Sequence, residues 1–393
     1  MQTKTVWMYR MLAFLVVGST LWFSQGCGSG SAGGSTSNTN QPPPSPQFLW
    51  LADGGNNRVL VFDAPFSTAQ NASMVLGQAD FTSSIPASSA TGLNGPTDAI
   101  ADAQGNAWVS DCSNNRILEY KQPLTSGMAA SLVLGQTNFT TSGSSTTANG
   151  FSSQHEMAFD NAGNLWVADS YNSRVVEFTP PFSNGMSASL VLGQNSFTTN
   201  QCATTASALC YPTGLTFDAN GNLWVVDSDN DRVLEYKPPF VTGQSAAAVL
   251  GQPDFTSGAQ GAGATGFDEP WSVAADSAGN IWVSDGGDWR VLEFTAPFSN
   301  GEAASTVLGF PNFTSNANSD PQSSLNNPRG IAFDKNGNLF VADDGVSRVM
   351  VFTPPFSNGM DASEVIGQPN FDSVQRSTTI SGMSAPVGLS ISF

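Results

Sequence analysis

The sequence predicts an all-β fold, a six-bladed β-propeller with four-stranded blades, closed by pairing of its N-terminal and C-terminal segments in one blade. Three observations predict it. One motif returns six times at a constant step of 58 residues, an interval that belongs to propellers or solenoids. Each copy alternates short apolar runs with turns rich in Gly, Asn, Asp and Pro, and the body shows no helical period. The body also opens and closes partway through a repeat, which a solenoid with polar caps would not do.

Composition agrees and excludes much. Of 393 residues only 11% are charged, while Gly (39) and Pro (23) are plentiful and 10% are aromatic, too many for a disordered chain. Thirteen basic residues against thirty-one acidic ones give −18, the wrong sign for gripping a phosphate backbone, so no nucleic-acid partner is expected. His155 is the one histidine, which excludes a His-rich metal site and most His-based triads. Four cysteines do not make a disulfide scaffold.

The first element is an export signal. Lys4 and Arg10 precede an apolar run over residues 11–23, too short for a comfortable membrane span, and small residues follow. Residues 1–26 read as a signal peptide. Ser24-Gln25-Gly26-Cys27 resembles the lipobox of bacterial lipoproteins, which implies cleavage before Cys27, lipidation of Cys27 and an exported protein held in the cell envelope by that anchor alone. An unlipidated cleaved signal and an uncleaved anchor are the alternatives. Residues 27–47 carry no apolar period and form a flexible linker ending in a stiffer Pro-rich piece. The body is residues 48–393.

Within the body, Asp53, Asp111, Asp169, Asp227, Asp285 and Asp343 keep the 58-residue step, as do Arg58, Arg116, Arg174, Arg232, Arg290 and Arg348. Gly77, Gly135, Gly193, Gly251, Gly309 and Gly367 keep it too. The unit around Asp227 shows the strands. Strand a covers residues 214–218 and is followed by a turn at 219–222. Strand b is 223–227, apolar on both faces as befits a strand between neighbouring sheets, and strand c is 232–236. Pro238-Pro239 stops the pairing, and strand d covers 246–252. Residues 385–393 match strand a, whereas Phe48-Leu49-Trp50 match strand b, so one blade is shared between the two ends. Closure removes the open edges that a sheet would otherwise expose.

The string P-x-G-(L/I)-x-F-D-x-x-G-N-(L/I)-(W/F)-V-x-D-x-x-x-x-R-V stands nearly intact over 212–233 and 328–349 and resembles the NHL repeat. The resemblance covers residues 48–393. It implies a six-bladed propeller of a kind used mostly for binding, with some enzymes of related architecture.

Most repeated residues read as structure. Each Asp ends strand b and each Arg begins strand c, so the pair faces itself across a hairpin and ties it with about 1–3 kcal/mol. Trp50, Trp108, Trp166, Trp224, Trp282 and Phe340 read as packing between blades, as do Phe81, Phe139, Phe197, Phe255, Phe313 and Phe371. Residues 261–266 satisfy G-x-G-x-x-G but lie in a low-complexity loop with no βαβ unit. Asp227, Asp229 and Asp231 begin like a calcium loop, yet Arg232 and Pro238 occupy the positions where that loop needs glycine and glutamate. Cys202 and Cys210 share one loop and are expected to pair in an exported protein; Cys112 reads as a small turn residue.

Function should lie where the copies differ. The residue after the motif proline runs Thr97, His155, Thr213, Trp271, Arg329, Val387, and the next runs Asp98, Glu156, Gly214, Ser272, Gly330, Gly388. Trp271 and Trp289 leave the strand-b position and belong to one face of one blade. Two readings follow. In the first, a monomeric, non-enzymatic propeller binds a protein, peptide or glycan on its loop-rich face through Trp271, Trp289, Arg329 and His155. In the second, a hydrolase or lyase uses His155 as base beside a calcium ion on Asp98 and Glu156 at the channel mouth. Calcium is the one cofactor considered. Against catalysis stand the single histidine, the scarcity of titratable groups that could be tuned and the expectation that His155 faces solvent. Replacing Asp98 and Glu156 together with glycine would restore the repeat's common residue, so the fold is expected to survive that change or gain stability.

Overall fold

Each repeat folds as a four-stranded antiparallel sheet, and the six sheets stand around a channel lined by their first strands. The computed structural model describes residues 47–315 and 317–392, so the signal peptide, Cys27 and the linker up to residue 46 lie outside the described residues. Blade 1 takes strand a from Pro386–Ser392 and strands b to d from Phe48–Asp53, Arg58–Asp63 and Met74–Leu76. Blade 2 runs Pro96–Ala101, Ala107–Asp111, Arg116–Tyr120 and Leu132–Leu134. The inner strands of blades 3 to 6 are Gln154–Phe159, Pro212–Phe217, Pro270–Ala275 and Pro328–Phe333. The expected closure is present: Leu49 pairs with Ile391 and Leu51 with Leu389.

In blade 4, strands b (Leu223–Asp227) and c (Arg232–Tyr236) match expectation, while strand a starts earlier, at Pro212, and ends at Phe217. Asp218 leaves the strand because its Oδ1 accepts the N–H groups of Asn220 and Asn222 at 2.8 and 2.9 Å, which closes the a–b turn. Strand d shrinks to Ala248–Leu250. Gly251 stops it with φ +81°, and a Cβ there would lie 2.1 Å from the Phe267 ring.

All six Asp–Arg pairs form, with Nε–Oδ2 distances of 2.7–2.9 Å and both side chains buried. Their reach exceeds the hairpin. Arg116 Nη2 donates to the carbonyls of Ser89 and Gly92, both at 2.9 Å, and Nη1 donates to that of Phe139. One guanidinium therefore clamps the loop entering its blade to the loop leaving it. The tryptophans fill the joints between blades: Trp108 of blade 2 lies edge-on to Phe159 and Phe182 of blade 3, with centroids 5.7 and 4.8 Å apart. Phe81, Phe139 and their repeats are half-buried against the same clusters.

Cys202 and Cys210 are disulfide-bonded. Cys112 is buried, and desolvation pushes its thiol up to about 11, which leaves it unreactive at neutral pH. The glycine-rich stretch at 261–266 is an irregular loop. Of the calcium-like carboxylates, Asp227 is held by Arg232, and Asp231 accepts the Glu269 N–H at 2.9 Å.

Candidate functional site at the channel mouth

The ring of residues after the motif proline divides by chemistry. Thr97 and Thr213 stay with the blade framework, donating to the carbonyls of Gln154 and Trp271 at 3.1 and 2.7 Å. His155, Trp271 and Arg329 leave it and meet over the channel. His155 and Trp271 stand on blades separated by a third, yet their rings lie 4.8 Å apart, tilted by 34°. The Arg329 guanidinium sits 3.7 Å above the Trp271 ring in a cation–π contact. It reaches Asp344 at 3.6 Å on its outer side. The Tyr211 hydroxyl is 3.4 Å from His155 Nε2, and Tyr171, 63% exposed, extends the aromatic surface at 5.3 Å from Tyr211.

The solvent-facing His155 expected from sequence is corrected here: it is 4% exposed, because Trp271 and Tyr211 cover it. Desolvation, with a smaller contribution from the Arg329 charge, pushes its pKa down to about 3. It is therefore a neutral ring at physiological pH. His155 Nδ1 and Trp271 Nε1 are both buried without a hydrogen-bond partner among the described residues. Each such atom costs about 1–3 kcal/mol, so the one hydrogen bond of the stack, between Tyr211 and His155 Nε2, leaves two of its polar atoms unsatisfied.

Asp98 and Glu156 lie one layer deeper, at the head of a channel cavity of about 350 Å³ that continues past Met157 and Ile331 to Phe159 and Phe333. Asp98 accepts the N–H groups of Ala99 and Met157 at 2.8 and 2.9 Å, and Glu156 accepts that of Leu215 at 3.2 Å. Each carboxylate thus ties its own strand a to that of the next blade. Where glycine stands instead, the neighbouring backbone moves in: a Cβ on Gly388 would meet the Thr97 carbonyl at 2.3 Å. Burial pushes Asp98 up to about 7; burial and then the Asp98 charge raise Glu156 as well. Calcium takes six to eight oxygen donors. This pair, occupied by backbone amides, does not fit that demand, and no group of three or more His, Cys, Asp or Glu side chains suited to a metal occurs among the described residues.

Trp289 is set apart from the stack. It closes the b–c turn of blade 5 at φ +55° and is 47% exposed, lining a groove of about 480 Å³ with Phe310, Phe313 and Arg290. In four of the other blades this position holds Asn57, Asn115, Asp231 and Ser347, whose side chains accept a backbone N–H of the next blade, and in blade 3 it holds Ser173. Blade 5 gives up that hydrogen bond and accepts a bulky residue in the left-handed region, the kind of strain that gathers at functional sites.

Sequence reasoning missed Tyr171, Tyr211 and Asp344. Tyr211 immediately precedes the motif proline, and a register comparison extended by that one position would have placed its ring beside His155.

Comparison with known proteins agrees with this architecture. The NHL repeat family model matches residues 209–236 and 325–352. No curated protein matches the sequence significantly. Among solved structures, a chain of a nidogen/laminin complex is 15% identical, with a TM-score of 0.53 over 88% of this chain and 98% of that one. A protein of unknown function from Bacteroides caccae is 12% identical, with a TM-score of 0.51 over 88% of this chain and 99% of that one. A streptogramin B lyase is 14% identical, with a TM-score of 0.41 over 70% of each chain. Two matched units, six copies of one motif and six four-stranded sheets in a closed ring make the chain a six-bladed β-propeller that carries NHL repeats.

Proposed function

We propose that the protein is a non-enzymatic binding module, exported and tethered through a lipidated Cys27, that takes a peptide, protein or glycan ligand at the channel mouth. The observation that carries this reading is the His155–Trp271–Arg329 stack. It stands where the other blades keep Thr or Val, and it includes two buried polar atoms that the fold itself does not satisfy. Such aromatic and arginine groups supply most of the binding free energy where they are desolvated. Tyr171 extends the stack outward as an exposed ring, and Trp289 offers a separate contact on the same face. The hydrolase or lyase reading has less support. A histidine with a pKa near 3 is a poor base at neutral pH, and the carboxylates beneath it are engaged by backbone amides.

A panel of peptides and glycans screened against the full chain tests this reading. A ligand found in that way should bind at least about tenfold more weakly to Trp271→Ala, and with unchanged affinity to Val241→Ser, which alters an exposed residue of a c–d loop. Equal binding to Trp271→Ala would remove the mouth from the reading. Turnover of a bound ligand that disappears in His155→Ala would favour the enzyme instead.

A further inference from the structure

Five of the six joints between blades set at least one phenyl ring edge-on against the aromatic residue of strand b, and one does not. In the joint after blade 2, the Trp108 indole is met edge-on by two phenyl rings, Phe159 from the end of the next strand a and Phe182 from the next c–d loop. Trp166 meets Phe217 and Phe240 in the same way, and Trp282 meets Phe333 and Phe356. Trp224 keeps one ring, Phe298, and Phe340 keeps Phe66, with centroids 4.7 and 5.0 Å apart. At the joint between blades 1 and 2 both rings are gone. The 58-residue register puts Ala101 where Phe159 would stand and Leu124 where Phe182 would stand. Among the described residues, Leu124 and Ala101 pack in the cluster around Trp50 where the other joints have phenyl rings, and Phe48 joins them from Trp50's own strand.

A cavity of about 570 Å³ lies against Trp50, Ala101 and Leu124, with Phe48, Met74 and Ile391 completing its apolar wall. That volume falls within the range of small-ligand sites. The joint between blades 2 and 3 also carries a groove, of about 670 Å³, but there Phe159 and Phe182 line it in place of Trp108, and Asp102, Glu119, Lys121 and Asp160 make its wall polar. The joint between blades 1 and 2 is set apart by its apolar lining and by the indole that forms part of it. A second feature opens it. Strands a and b of blade 1 come from opposite ends of the body, so no a–b turn joins them, whereas in blade 2 that turn is closed by Asp102 and Asn106. Phe48 occupies the register position of Asn106 and lines the opening. Asp102 and Gln122 supply polar groups at the rim. This site lies on the face of the a–b and c–d connections, opposite the His155–Trp271–Arg329 stack.

We propose that this joint is a second binding site, for a small aromatic compound of one or two fused rings. The ligand's ring takes the place beside Trp50 that Phe side chains take beside the other tryptophans. The class of ligand is set by the molecule's own joints: where the wall is intact, what packs on the indole is an edge-on phenyl ring with a centroid 4.7–5.9 Å away.

Indole is the probe. Saturation-transfer NMR on the full chain should show binding of indole to the wild-type protein. Ala101→Phe with Leu124→Phe restores both rings and should weaken that binding at least about tenfold. The two single substitutions should each weaken it in part, which keeps the test valid if the double variant misfolds. Trp271→Ala should leave indole binding unchanged, which separates this site from the channel mouth. Absence of binding at millimolar indole, equal binding to the refilled variants, or loss of binding in Trp271→Ala would each overturn the proposal.

Discussion

The indole N–H of Trp50 donates to the hydroxyl of Ser392 at 2.9 Å, joining the first strand of the body to the last across 342 residues. In blade 2 the equivalent bond is local, from Trp108 to Asp102 at 3.1 Å. Blade 1 makes its version through a segment that also lines the channel and packs beside the inner strands of blades 2 and 6. Deleting residues 385–393 should therefore unfold or aggregate the whole body, because it exposes strand b of blade 1 as an edge and opens the ring. Loss of the cooperative thermal transition and a shift to aggregate in size-exclusion chromatography are the expected results. A truncated protein that melts like the parent would refute closure as the source of stability.

The buried Asp–Arg pairs should be among the most sensitive positions. Arg174 binds Asp169 at 2.7 Å and also holds the carbonyls of Phe197, Thr147 and Gly150 at 2.7–2.9 Å. Arg174→Ala leaves a buried carboxylate and three carbonyls without their donor, so a loss of about 3–5 kcal/mol is expected from urea unfolding. Lys121→Ala, which removes an exposed partner 3.7 Å from Glu119, should stay within about 0.5 kcal/mol.

The carboxylate layer predicts a pH dependence of definite sign. Burial raises Asp98 to about 7, and burial with the Asp98 charge raises Glu156. Both groups hold protons more tightly folded than unfolded. Their stabilising contribution is complete below the unfolded carboxyl range and is lost as pH rises through the folded values, with a slope of up to about 1.4 kcal/mol per pH unit for each proton. Glu156→Gln should flatten the fall in melting temperature as pH rises from the ordinary carboxyl range through about 7, the value to which Asp98 is raised. An unchanged slope would mean that the pair does not titrate in this window.

That layer also reverses one expectation. Glycine at 98 and 156 matches the repeat, but here it would leave the Met157 and Leu215 amides without their acceptors. The double glycine variant should therefore be destabilised, by about 1–3 kcal/mol for each buried amide left unpaired, as read from denaturant midpoints.

Two cysteine changes separate anchor from body. Cys27→Ala should release the protein from the membrane fraction without changing its melting temperature; retention there would point to an uncleaved anchor. Replacing Cys202 and Cys210 with serine should cost about 2–3 kcal/mol on the chain-entropy model, given the separation of 8 residues, and should leave localisation unchanged.

The ring, its blade count, the shared blade and the Asp–Arg clamps were legible in the amino-acid sequence because each is a local pattern copied at a fixed interval. A repeated constraint shows itself without knowledge of the third dimension. Even the boundaries of strands b and c in blade 4 followed from the apolar run and its flanking turn. The tertiary structure decided what meets across the channel. The register placed His155, Trp271 and Arg329 at one height but could not show that strands from non-adjacent blades converge closely enough for their side chains to stack. It also could not show that Asp98 and Glu156 find the amides of Met157 and Leu215, because those belong to the neighbouring blade and are freed by an irregularity in its strand a. The cavity beside Trp50 lies between these cases. Ala101 and Leu124 were visible as departures from the repeat, but only the packing of the other joints shows that each missing ring had a tryptophan to meet.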